Sequence, residues 1–128
     1  MSACYPPFPV ILLVGPDHEA RTHASGLIRR RLPACEVLEA GDGPQAVAAV
    51  RHARPGLVVM DSQLPGGQVH EAAARILDEA PDTRMVMLTA HAHGAASAAA
   101  DGQGLTWVHA PLRPETVDRI LQIGGWLQ

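Results

Sequence analysis

The sequence predicts one α/β domain, a doubly wound parallel sheet of five strands with helices on both faces. Short runs that are apolar at every position, such as Val10-Ile11-Leu12-Leu13-Val14 and Leu57-Val58-Val59-Met60, suit strands buried on both sides. Segments of helical period separate these runs, and such alternation builds a parallel sheet through right-handed crossovers. The chain has 128 residues, 47% hydrophobic and 18% charged, which is enough for one core and too little for two ordinary domains.

The elements follow in order. The Val10–Val14 run is ended by Gly15-Pro16, and Asp17 is placed to cap a helix carrying Ala20, Ala24, Leu27, Ile28 and Arg31 until Pro33 stops it. Cys35 to Leu38 is a weaker strand, because Glu36 interrupts it. Asp42-Gly43-Pro44 starts a helix with proline in the first turn, where its missing N–H costs nothing. Ala46, Val47 and Val50 follow on one side, up to Arg54-Pro55-Gly56. Leu57 to Met60 is the third strand and delivers Asp61 at its carboxyl end. Beyond the Pro65-Gly66-Gly67 loop, Ala73, Ile76, Leu77 and Ala80 repeat at helical spacing. Met85 to Leu88 is the fourth strand, followed by Thr89. The segment 92–100 is a weak alanine-rich helix, Thr106 to His109 the fifth strand, and Pro114-Glu115 opens a last helix ending near Gly124-Gly125. The expected boundaries are an N-terminal extension over 1–9, the domain over 10–123, and a tail or linker start over 124–128.

Composition narrows the function. Ten basic residues, all arginine, oppose thirteen acids for a net charge of -3, which argues against a domain that grips nucleic acid through a basic face. No stretch approaches the roughly 18 apolar residues of a membrane helix, and Met1 to Pro9 does not read as a secretion signal. Cys4 and Cys35 lack metal-site spacing and read as unpaired thiols, so the expected location is the cytoplasm.

In a doubly wound sheet, sites form outside the carboxyl ends of the strands. Here those ends are Gly15 to Asp17, Asp61, Thr89 and His109 to Pro111. The stretch Leu57-Val58-Val59-Met60-Asp61-Ser62-Gln63-Leu64-Pro65-Gly66 resembles the phospho-acceptor strand and loop of response-regulator receiver domains in two-component signalling. Pro81-Asp82-Thr83-Arg84-Met85-Val86-Met87-Leu88-Thr89-Ala90 is similar to that family's fourth strand with its hydroxyl residue, and His109-Ala110-Pro111-Leu112 falls on its lysine-proline pair. The resemblance covers about Val10 to Ile123 and implies the flavodoxin-like (βα)5 receiver fold and a signalling role, not an enzyme.

By the same resemblance, Asp61 is the phospho-acceptor, Thr89 a phosphate contact and Trp107 the switch aromatic. The family's magnesium-binding acidic pair falls on Gly15 and Pro16, and its lysine on Ala110, so these three positions are degenerate. Val69 stands where the family has a glycine. A carboxylate receiving a phosphoryl group needs positive charge to offset repulsion, and magnesium needs oxygen ligands. No magnesium is expected unless Asp17 and Asp61 hold it. Asp17, His109 and Arg113 are the substitutes in reach.

The expected function is therefore an atypical receiver acting mainly through protein–protein interaction, with phosphorylation weakened or lost. The alternative is a working receiver phosphorylated on Asp61 with non-standard support. Expected partners are a histidine kinase or an output domain or protein, and a second copy through the face made by segment 92–100, the fifth strand and the last helix. A flavodoxin-like enzyme or nucleotide binder is the competing class, but no glycine-rich phosphate loop follows the first strand. His18, His70, His91, His93 and His109 fall near the carboxyl edge without a zinc-site spacing, so no metal site is expected there.

Overall fold

The computed structural model describes residues 9–64, 69–89, 106–109 and 112–126, and of His109 the backbone only. Within these residues lie β1 (Val10–Val14), α1 (His18–Arg31), β2 (Glu36–Ala40), α2 (Gly43–Ala53), β3 (Leu57–Asp61), α3 (Val69–Glu79), β4 (Arg84–Thr89), β5 (Thr106–His109) and a last helix, α4 (Pro114–Ile123). The five strands pair in parallel in the order β2-β1-β3-β4-β5, the expected doubly wound architecture. The alanine-rich segment with His91 and His93, the Pro65 loop, Cys4 and Ala110 lie outside the described residues.

Two-residue alternation divides the strands between two cores. Leu12, Val14, Val58, Met60, Met85 and Met87 face one side, where Ala46, Val47 and Val50 of α2 and Ala72, Ala73 and Ile76 of α3 cover them. Ile11, Leu13, Leu57, Val59, Val86 and Val108 face the other, under Ala24 and Ile28 of α1 and Val117, Ile120 and Leu121 of α4. This double coverage is why β1 and β3 are apolar at consecutive positions. Ion pairs tie the helices on each side, Arg31 to Asp118 at 2.6 Å between α1 and α4, and Arg51 to Glu79 between α2 and α3. Both pairs reach solvent, so each adds about 1 kcal/mol at most.

The second strand lies later than Cys35 to Leu38. Cys35 donates its N–H to the Leu32 carbonyl at 3.0 Å in a turn, and pairing with β1 carries the strand on to Ala40. Partnering along β1 outweighs the interruption by Glu36 and Glu39. Gly124 to Trp126 close α4 as a Schellman motif. Gly125 takes φ +88°, Trp126 donates to Leu121 and Gly125 to Gln122, each at 3.0 Å, and the Trp126 ring packs over Gly56 and Gly124.

Asp42 Oδ1 accepts from the Gln45 N–H at 2.9 Å and caps α2. Replacing it with alanine is expected to cost about 1 kcal/mol in chemical denaturation. Burial pushes the Cys35 thiol pKa up, and the Arg29 guanidinium offsets part of that. A raised thiol pKa favours the protonated form in the folded state, so this contribution is present below the unfolded thiol pKa, about 8.5, and is lost as pH rises through the folded value. Thermal melts at rising alkaline pH are expected to show a shallower loss of stability for Cys35→Ala than for the parent chain.

Candidate functional site

The register sets the carboxyl edge. Val14 pairs with Ala40 on one side and Met60 on the other, so Gly15 and Asp61 emerge side by side. Gly15 is buried and donates its N–H to the Ala40 carbonyl at 3.0 Å. A Cβ on Gly15 would stand 3.3 Å from the Asp61 Cβ and 3.7 Å from its Oδ2, so a side chain there would need Asp61 to yield by a few tenths of an ångström. Asp61 is partly buried, and its Oδ1 accepts from the Gln63 N–H at 2.8 Å, closing the turn after β3. Asp17 is exposed and caps α1, its Oδ1 accepting from Glu19 at 3.0 Å and Ala20 at 3.4 Å.

Gly15, Asp17 and Asp61 share a cavity of about 40 Å³ with Arg21, Leu13, Val59 and Leu88 among its walls. Other expected site residues stand apart from it. Pro16 is exposed, and Arg113 is exposed at the start of α4 without a side-chain cap bond. Thr89 pairs with the backbone of His109, one residue beyond Leu88, the register partner of Asp61. Trp107 pairs with Met87 and packs against the α2–α3 core, its buried Nε1 without a hydrogen-bond partner among the described residues. Leaving such a donor unpaired costs about 1–3 kcal/mol.

Sequence reasoning missed Arg21. Its Nε donates to Glu39 Oε1 at 2.9 Å, its Nη1 donates to the Gly15 carbonyl, and its Nη2 lies 3.4 Å from His18 Nδ1. The signal was present, since Arg21 stands four residues after Asp17 and therefore on the same face of the first turn. The Glu39 partner was hidden by the early end assigned to the second strand.

These groups fit a magnesium ion poorly. Magnesium takes a near-ideal octahedron of oxygens. Here the Gly15 carbonyl is taken by a guanidinium, and Asp17 and Asp61 each have one carboxylate oxygen bonded to backbone N–H groups. Among the described residues no three histidine, cysteine or acidic side chains converge as a metal site. Nor is any helix among them long and apolar enough to cross a membrane.

The chain is 34% identical over 113 residues to protein-glutamate methylesterase/protein-glutamine glutaminase 4 of Myxococcus xanthus, a match covering 86% of this chain and 32% of the relative. It thus spans about a third of that protein's length. Its fold is similar to a two-component response regulator of the LuxR family from Aurantimonas, at 27% identity and a TM-score of 0.81, covering 92% of this chain and 86% of the other. It is also similar to the chemotaxis protein CheY4 of Vibrio cholerae, at 25% identity and a TM-score of 0.78, covering 90% and 97%. The response regulator receiver domain family matches residues 11–120, and with the sheet order and strand-end aspartate already described, the chain belongs to that family of signalling modules, which are not themselves enzymes.

Proposed function

We propose that this receiver domain works in two-component signalling mainly as a protein–protein interaction module, with magnesium-dependent phosphorylation of Asp61 weakened or lost. The observation that carries this reading is the contact between Gly15 and Asp61. Where receivers hold the acidic pair, a buried glycine lies against the acceptor with no side-chain oxygen, and the adjacent Pro16 is exposed. Asp61 then receives a phosphoryl group without the cation that would offset the repulsion between two anions. The absence of lysine from the chain removes the usual second positive charge as well. Thr89 ends β4, and in this reading it would be the phosphate contact of such a reaction.

The partners in this reading are a histidine kinase or an output domain or protein, engaged through the face that includes β5 and α4. A second copy on the same face is the homomeric version. Trp107 lies on β5 as the candidate switch aromatic, and its Nε1, without a partner among the described residues, gives an inward ring a cost that rotation toward solvent would relieve.

The test follows Trp107 emission in a Trp126→Phe background while magnesium and beryllofluoride are titrated, with mass spectrometry after exposure to a phosphorylated histidine-kinase donor. A flat emission curve and an unmodified Asp61 are expected, with partner binding unchanged by Asp61→Asn. A labile adduct on Asp61, or saturable quenching abolished by Asp61→Asn, would establish the working receiver instead.

A further inference from the structure

We propose that Arg21 makes the Asp61 cavity metal-independent, its guanidinium seated on the Gly15 carbonyl and blocking a divalent ion at the carboxyl edge. The inference rests on the reading of Asp61 as working without magnesium and names the group responsible.

Arg21 lies in the first turn of α1, its backbone N–H donating to the Asp17 carbonyl at 3.1 Å. Helix side chains lean toward the amino end, which directs this one back over the carboxyl edge of the sheet. Three groups then fix it. Glu39 at the end of β2 holds Nε, the Gly15 carbonyl holds Nη1, and His18 Nδ1 faces Nη2. The side chain is only 16% exposed, so its charge acts through protein more than through water. Gly15 joins the two halves of the cavity, its carbonyl on the guanidinium and its Cα against Asp61.

This arrangement excludes a divalent ion in two ways. The guanidinium occupies the Gly15 carbonyl, an oxygen donor in the same cavity as Asp17 and Asp61. It also sets a like charge beside any incoming cation, and arginine stays protonated at all working pH values. A tethered guanidinium therefore lines the Asp61 cavity permanently, and chelation cannot remove it.

Manganese is the probe, with the free ion counted by electron paramagnetic resonance. The wild-type chain is expected to show no saturable binding at millimolar metal. Arg21→Gln frees the Gly15 carbonyl and removes the like charge, and is expected to bind manganese about tenfold more tightly or better. Adding Asp61→Asn should abolish that gain, and Arg21→Lys, which keeps the charge, should show none. If Arg21→Gln fails to fold with Glu39 left unpaired, the Arg21→Gln/Glu39→Gln double variant is expected to gain binding through Asp17 and Asp61. A folded Arg21→Gln or double variant that gains nothing would overturn the role of Arg21 while leaving the functional reading intact. Phosphorylation of wild-type Asp61 would instead overturn that reading, and wild-type manganese binding as tight as that of Arg21→Gln would overturn the inference directly.

Discussion

The carboxyl edge of this domain is organised by one close approach, that of Gly15 to Asp61 across the β1–β3 pair. Parallel pairing ends both strands at the same level, and the buried aliphatic residues beneath leave neither strand free to slide. At that separation a side chain at position 15 fits only if Asp61 yields by a few tenths of an ångström. The same glycine presents its carbonyl to Arg21, so one position sets both the isolation of the carboxylate and the seat of the cation.

Much of the fold was legible because the sheet is covered on both faces. A strand buried on both sides must be apolar at consecutive positions, and β1, β3 and β4 announce themselves in this way. The edge strand β2 was harder to read, because its exposed Glu36 and Glu39 resemble loop residues until pairing with β1 gives them a register. The site was legible where it depended on strand ends, as with Asp61 and Gly15. Arg21 was not, because its role comes from a helix packing beside a strand that lies adjacent in space and not in sequence. Its partner Glu39 is 18 residues away, and a spacing rule confined to one helix cannot join them.

The electrostatics of the edge follow from which groups are tethered. Asp17 is committed to the α1 amino end, where a carboxylate satisfies N–H groups and meets the positive end of the helix dipole. Glu39 is committed to Arg21, leaving Asp61 as the acid of the cavity whose Oδ2 is not taken up by capping or pairing among the described contacts. A carboxylate with one anchored oxygen and no acidic neighbour at 15 or 16 faces less of the like-charge repulsion that an acidic cluster must relieve by binding metal.

An exchangeable ion and a tethered guanidinium also differ in what they allow a signal to do. A ligand shifts a conformational equilibrium only through a difference in its affinity for the two states. Metal and phosphoryl group together supply such a difference when both come and go. Arg21 is covalently part of α1 and braced by Glu39 on β2, so its contribution is present whenever those elements are packed. On the proposed reading, input to the domain comes from contacts made and broken at its surface. The side of the sheet bearing Trp107, where a buried indole N–H lacks a partner among the described residues, is the place where such a contact would find free energy to release.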